Sequence, residues 1–391
     1  MKVLHFYRTY FPDTQGGLEE AIRQICLNTI PFGVESRVLT ISAKPSLDPI
    51  ELAEAKVYQV KKHGELASCT VGLGAIKKYR ELAEWADVIH LHYPWPFADI
   101  VRLLSPNNTP SVLTYHSDII RQLLLKRIYA PLESRYLASI DRIVSTSPNY
   151  LAGSATLQSM QHKVQTIPLG IDGNSYPQVG SDQLEKCRSQ FGQGFFLFVG
   201  VLRYYKGLNI LIEAMAGSSS MLLIAGIGPM QSKLKRQVKR LGLSNVRFLG
   251  YVSDADKVAL LQLCCAVVLP SHLRSEAFGV VLLEGAMMAK PMISAEIGTG
   301  TSYVNSDGET GLVVKAGSSD ALREAMTYLA ENSEVAQTMG VAARKRYQKL
   351  FSGEKLGESY YKLYTELLNK EEKKSNPLEL SSRGLLLPTY P

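Results

Sequence analysis

The chain is predicted to fold as two α/β domains, each a doubly wound, Rossmann-like sheet, facing one another across a cleft. Three observations carry this. Short apolar runs alternate with longer amphipathic ones, the pattern of strand–helix units whose parallel sheets are covered on both faces. The alternation proceeds once over residues 3–167 and restarts at Phe195. At 391 residues the chain exceeds one compact core and suits two domains of ordinary size.

In order, residues 3–7 read as a strand and 17–29 as a helix by their apolar spacing. Strands are expected at 36–41, 57–60, 88–92 and 111–115, then a helix around 119–138 and strands at 142–145 and 164–167. The turn-rich stretch Ile171-Asp172-Gly173-Asn174-Ser175-Tyr176-Pro177 separates the two series and sets domains at 1–172 and 173–352. In the second series strands fall at 195–199, 220–225, 246–249 and 266–269, with helical runs at 208–215, 230–241 and 257–264. A last helix, 353–372, carries Tyr360, Tyr361 and Tyr364 and is expected to return to the N-terminal domain, with a flexible tail at 373–391.

Composition narrows the class. Hydrophobic residues make up 46% and charged residues 20%, as in a soluble globular protein. There is no apolar run long enough to span a membrane, and the first residues are too polar for a signal peptide. Five cysteines without CxxC spacing point to a reducing compartment and to no metal site. The net charge of +7 is clustered: Lys233, Lys235, Arg236, Lys239 and Arg240 crowd one helix, and Arg121, Lys126, Arg127 and Arg135 another. Such clusters suit a phosphate or an anionic membrane surface. No nucleic-acid-reading motif accompanies them, so no nucleic-acid partner is expected.

The most informative stretch is Ser275-Glu276-Ala277-Phe278-Gly279-Val280-Val281-Leu282-Leu283-Glu284. It follows a buried strand and runs into an apolar helix. Phe278, Gly279 and Val280 then lie near the helix N-terminus, where unpaired amides favour an anion or an electron-rich hydroxyl. Gly16-Gly17 opens the first helix just past the first strand; it is either a tight turn or a close approach to a ligand. It is not GxGxxG, which disfavours a nicotinamide domain. His116 follows a strand and would face the crevice, as a structural residue or as a ligand contact. Arg203 and Lys206, beside Gly207, follow another strand and suit a diphosphate, with a solvated surface pair as the alternative. Gly226, in Ala225-Gly226-Ile227-Gly228-Pro229, is a phosphate or base cradle or a plain turn. Asp254-Ala255-Asp256 has the form of an Mg²⁺ pair, but Ser253 or Asp254 is a natural helix cap and Asp256 suits a first turn. Gly298-Thr299-Gly300-Thr301 is turn chemistry, and Asp307-Gly308-Glu309-Thr310-Gly311 reads as a turn joining two short strands.

Taken together and in this order, these motifs resemble the retaining glycosyltransferases of family GT4, which have the GT-B fold. The resemblance extends to about residue 365. It implies an acceptor-binding N-terminal domain and a nucleotide-sugar-binding C-terminal one. Glu276 and the Phe278, Gly279 and Val280 amides would hold the donor sugar, Glu284 the ribose, and Arg203 with Lys206 the diphosphate. His116 would lie by the donor sugar and backbone near Tyr251 and Val252 by the base. Other stretches, such as residues 7–13, 116–120, 145–150 and 298–305, are similar to bacterial enzymes of O-antigen and surface-polysaccharide synthesis. Many of these use GDP-mannose and a polyprenyl-diphosphate-linked glycan. The resemblance therefore implies a mannosyltransferase, cytoplasmic and peripheral on the inner face of a bacterial plasma membrane, and the capping reading of Asp254 and Asp256 makes it metal-independent. Arg121, Lys126 and Arg127 are its candidate lipid contacts, on a run that reads equally well as an ordinary core-facing helix. Gly285, where the family usually has Ala, departs from the pattern at a cost in helix propensity. A UDP-sugar donor, a nucleotide-sugar epimerase, a dehydrogenase and a non-catalytic binder are the alternatives. The last would be expected to lose Glu276 or the Arg203/Lys206 pair, and a dehydrogenase needs a fingerprint the chain lacks.

Overall fold

A computed structural model describes residues 1–66, 69–119 and 123–375. The first half comprises β1 (Lys2–Phe6), α1 (Gly17–Thr29), β2 (Glu35–Ser42), β3 (Ile50–Glu51), β4 (Lys56–Lys61), β5 (Gly64–Leu66), β6 (Cys69–Val71), α2 (Gly74–Trp85), β7 (Val88–Tyr93), α3 (Pro96–Leu103), β8 (Ser111–Tyr115), α4 (Leu123–Ala138), β9 (Arg142–Ser145), α5 (Pro148–Gly153), α6 (Ala155–Ser159) and β10 (Val164–Thr166). The second comprises α7 (Ser181–Phe191), β11 (Phe196–Val199), α8 (Leu208–Ala214), β12 (Leu222–Ala225), α9 (Gln231–Arg240), β13 (Val246–Gly250), α10 (Asp254–Leu263), β14 (Ala266–Leu269), α11 (Val280–Met287), β15 (Met292–Glu296), α12 (Gly300–Val304), β16 (Gly311–Lys315), α13 (Ser319–Glu331), α14 (Ser333–Leu350) and α15 (Gly353–Ser375).

Two parallel sheets organise these elements. Among the described residues the first has the order β10-β9-β8-β7-β1-β2-β4-β3, with only β3 antiparallel to its neighbour. The second has the order β13-β12-β11-β14-β15-β16. Its central strands are continuous apolar runs, Phe-Leu-Phe-Val in β11 and Ala-Val-Val-Leu in β14, as a sheet covered on both faces requires. The strand order reverses between β11 and β14, and between β1 and β7 in the first sheet. A crevice opens outside the carboxyl ends of the strands at such a reversal, and ligands bind there in open α/β sheets.

The C-terminal helix returns to the first half. Leu356, Tyr360, Leu363 and Tyr364 of α15 are buried in one cluster with Val3, Val88, Val112 and Val144 from four strands of the first sheet. A Cβ added at Gly357 would collide with the backbone oxygen of Asn28 in α1, so the two helices cross at backbone contact. One expectation needs correction. Residues 307–311 do not join two strands: they connect α12 to β16, with a single bridge between Asp307 and Gly311. The Asn305 side chain fixes this corner by donating toward Met292 O, Ser294 Oγ and Leu312 O, so a short helix turns directly into the edge strand.

Candidate functional site

The loops that leave β11 and β14 meet at the reversal point. After β11 the chain passes Gly200 to a short 3-10 turn, residues 204–206, with exposed Arg203 at its N-cap. After β14 it runs from Pro270 to Gly279. Lys206 and Glu276 form an ion pair here, and Ser271 Oγ donates to the same carboxylate oxygen at 3.0 Å. Both charged groups are largely withdrawn from solvent, at 13% and 10% side-chain exposure. Burial works against the Lys206 ammonium, but the Glu276 carboxylate outweighs it and the lysine pKa is raised, so it stays charged.

Gly279 caps α11 at φ 82°, ψ 67°, and a Cβ there would lie 2.6 Å from Leu269 Cδ2. Only glycine enters a helix this way against a buried strand. The first amides of α11 are thereby presented beside Glu276. One turn into the helix, buried Glu284 accepts from Lys257 Nζ at 2.8 Å and from the Tyr176 hydroxyl at 2.9 Å. Lys257 is charged for the same reason as Lys206: burial opposes it, and Glu284 with Asp254 raises its pKa. Lys257 and Tyr176 escaped the reading of the sequence. Lys257 stands three residues past Asp254, and its link to Glu284 spans 27 positions.

The first half closes over this loop. Ala277 packs against the N-terminal core, and a Cβ on Gly17 would sit 3.8 Å from Val280 Cγ2. Gly16 is the N-cap of α1, and a Cβ there would lie 2.7 Å from Glu19 Oε2. Further contacts tie the halves: Gln24 to Ser175 at 2.9 Å, Asn149 to Ser302 at 3.1 Å, and Arg274 to Asp118 at 3.7 Å. Arg274 also donates to Gly298 O at 2.5 Å and lies over the Tyr150 ring.

His116 lies one residue past β8, with its amide donating to Tyr93 O at 3.0 Å. Its ring is 6% exposed, and burial lowers its pKa to about 3. Nε2 meets His92 Nδ1 at 3.1 Å, and His92 Nε2 meets His5 Nδ1 at 3.2 Å. Nitrogens of His5, His90 and His92 lie within 4.8 Å of one another. Both His90 nitrogens are already engaged, by Tyr364 and Thr114 at 2.7 Å each.

Other candidates sit differently. Gly226 has φ 134°, and its Cβ would fall 2.0 Å from Gly200 O, so backbone packing between two strand ends suffices to require glycine there. Tyr251 is exposed and Val252 half-buried. Both line a hollow of about 620 Å³ between α7, β13 and α10 at the outer sheet edge. Ser253 caps α10, accepting from the Asp256 amide at 3.1 Å. Asp254 pairs with Lys257, and Asp256 contacts Ser253 and Gln183. Arg127 is exposed on α4 beside Ile128, 79% exposed; Arg121 lies outside the described residues, as does the side chain of Lys126.

Comparison with known proteins agrees with this geometry. Residues 16–170 match the family described as glycosyl transferase 4-like domain, and 182–346 that of glycosyl transferases group 1. The D-rhamnosyltransferase WbpZ of Pseudomonas aeruginosa is 51% identical over 352 residues, 90% of this chain and 92% of that protein. The O-antigen chain mannosyltransferase C of Escherichia coli is 43% identical over 371 residues, 95% of this chain and all of that protein. Among solved structures, the sucrose-phosphate synthase of Thermosynechococcus elongatus superposes with a TM-score of 0.78 at 21% identity, covering 94% of this chain and 99% of that one. With both halves matched in order and half of the aligned residues identical to those of a relative covered over 92% of its length, the chain belongs to the group 1, GT4 glycosyltransferases of GT-B fold.

Proposed function

We propose that this glycosyltransferase moves a manno-configured hexose, with retention, from a guanosine-diphosphate donor to a polyprenyl-diphosphate-linked glycan in bacterial O-antigen or related polysaccharide synthesis. The observation that carries it is the Lys206–Glu276 pair beside the α11 N-terminus, at the reversal point of a nucleotide-type sheet. GDP-mannose is the first donor to test, and its 6-deoxy counterpart GDP-D-rhamnose the second, because the two relatives are named for those two sugars.

In this reading Arg203, Lys206 and the first amides of α11 take up the negative charge that grows on the leaving diphosphate. Glu276 holds Lys206 in place and faces the sugar hydroxyls. Glu284, fixed by Lys257 and Tyr176, accepts from the ribose hydroxyls. Gly17 lets the first domain approach the donor, and backbone at Gly226, Tyr251 and Val252 flanks the base. The incoming hydroxyl attacks on the face the diphosphate leaves, and a diphosphate oxygen takes its proton. The acceptor lipid stays in the bilayer, so the enzyme works at an anionic membrane surface, with Arg121, Lys126 and Arg127 as its candidate lipid contacts. Among the described residues no helix is long and apolar enough to cross a membrane.

The test incubates the purified protein with GDP-mannose, GDP-D-rhamnose or a UDP-hexose, with and without a lipid-linked glycan, and reads products by mass spectrometry. Acceptor-dependent addition of one hexose or deoxyhexose from a GDP donor is the expected result. Transfer from the UDP-hexose alone would replace the donor assignment. Interconversion of the free sugar nucleotide without acceptor would make the protein an epimerase.

A further inference from the structure

Three histidines form one line through the N-terminal sheet. His5 on β1 and His90 on β7 are register partners, and His92 stands two residues on, on the same face. His92 in turn pairs in register with Thr114 on β8, two residues before His116. The rings meet nitrogen to nitrogen, His5 Nδ1 to His92 Nε2 at 3.2 Å and His92 Nδ1 to His116 Nε2 at 3.1 Å. The ring centroids are 5.5 and 5.4 Å apart, in each case 2.3 Å more than the nitrogens. That excess is two ring radii laid end to end, so both bonds point straight out of the rings, and the interplanar angles are only 16° and 28°.

Burial holds the rings neutral: His5 and His116 have their pKa lowered to about 3, and that of His92 falls well below the usual value. A neutral imidazole carries one proton, so each ring must donate from one nitrogen and accept at the other. The three rings therefore share one direction. Either each carries its proton on Nδ1 or each carries it on Nε2. The inner end decides between these. His5 Nε2 is buried and has no partner among the described residues. Among backbone groups a buried N–H left unpaired is rarer than an acceptor left short of a donor, and we extend that preference to the ring nitrogen. His5 Nε2 is thus the lone pair and Nδ1–H the donor. His5 then donates to His92, His92 donates to His116 Nε2, and the His116 proton lies on Nδ1, the nitrogen that no described residue engages.

We propose that His5 and His92 are positioning residues that lock His116 as a neutral Nδ1–H donor aimed at the nucleotide-sugar diphosphate or the sugar beside it. This rests on the placement of His116 at the donor site. An Nδ1–H can donate to a phosphate or hydroxyl oxygen, whereas the opposite tautomer would turn a lone pair on an anion. The uncharged donor strengthens as charge grows on the leaving group and needs no proton from solvent.

The test is spectroscopic first. Long-range ¹H–¹⁵N spectra of histidine-labelled full-length protein are assigned by single replacements among its seven histidines. His116 and His92 should both show a protonated Nδ1 and an unprotonated Nε2; an Nε2-protonated His116 overturns the proposal whatever the activity. His92→Asn keeps an amide N–H near the place of Nδ1–H, while His92→Leu cannot donate. With folding checked by circular dichroism, His92→Leu should lower kcat about 10-fold with little change in KM, and His92→Asn should recover most of it. If His116→Ala loses turnover while His92→Leu and His92→Asn behave alike, the positioning role falls and the donor site stands. If His116→Ala also keeps full turnover, the donor-site placement of His116 falls with it. The tautomer in wild-type protein is measurable even if His92→Leu does not fold.

Discussion

Four histidines buried in one sheet should make the N-terminal half of the protein sensitive to acid. His5, His90, His92 and His116 are at most 6% exposed. In the unfolded chain each takes a proton near pH 6.5. In the folded chain burial keeps them neutral far below that: His5 and His116 to about 3, His90 and His92 also well below the ordinary value. The unfolded state therefore binds more protons once the pH drops under about 6.5, and stability falls as it drops. The contribution is fully present above pH 6.5 and is lost progressively toward pH 3. Between pH 7.5 and 5.5 a group shifted this far loses about 1.4 kcal/mol, so His5 and His116 together lose about 2.8 kcal/mol. His90 and His92 add in the same direction. Asp99 and Glu20, whose carboxyl pKa values are raised by burial, work the opposite way, so the comparison needs a variant. His5→Asn removes one titrating ring and should cut the acid-induced loss by about 1.4 kcal/mol. The assay is urea unfolding followed by tryptophan fluorescence. The two tryptophans, Trp85 and Trp95, both lie in the first half, so the signal ignores the second domain. Equal pH dependence in wild type and His5→Asn would refute the reasoning.

Further outcomes follow from the same geometry. Lys206→Ala and Arg203→Ala should each lower turnover about 10²–10³-fold, since a charge-assisted contact to a leaving group contributes on the order of 2–4 kcal/mol; steady-state rates at saturating donor check this. EDTA should leave turnover intact, because Asp254 and Asp256 are engaged by Lys257, Ser253 and Gln183 in capping α10, and Ser253→Ala should cost about 1 kcal/mol of stability without loss of rate. Gly226→Ala should unfold the protein or lower its melting midpoint far more than Gly217→Ala. Both need positive φ, but only at Gly226 would the new Cβ meet a backbone oxygen, at 2.0 Å. Reversal of Arg121, Lys126 and Arg127 to Glu should release the protein from anionic vesicles, each cation contributing about 1 kcal/mol there, while sedimentation with neutral vesicles stays unchanged.

Legibility in the sequence tracked the range of the interaction. The strand–helix alternation and the loop-to-helix passage at Glu276–Glu284 are local, and period and turn chemistry place the strands within a residue or two, while α10 begins three residues before the expected helix and α4 four residues after its own expected start. The Lys206–Glu276 pair was half legible: each residue stood at the carboxyl end of its own strand, but that β11 and β14 are neighbours depends on sheet order. Gly226 was undecidable locally. A phosphate cradle and a backbone collision with Gly200 both demand glycine, and only the pairing of β11 with β12 shows the collision.

The histidines make the same point more sharply. His90 and His92 alternate with Ile89 and Leu91 on a strand whose six residues are all buried, so by pattern alone β7 reads as plain core. Their meaning comes from register. His5 pairs with His90, Thr114 pairs with His92, and Tyr360 and Tyr364 of α15 reach Thr114 and His90 from about 250 residues away. A buried polar side chain is tolerated when its partners are supplied, and here the supply comes from four separate segments. The C-terminal helix is therefore more than a cover on the first domain: by engaging both nitrogens of His90 together with Thr114, it leaves His5, His92 and His116 to bond only along their own line. Loss of the Tyr364 hydroxyl would free a His90 nitrogen beside that line. Tyr364→Phe, at the far end of the chain from His116, is therefore a replacement whose effect on the His116 tautomer should be visible in the same ¹⁵N spectra.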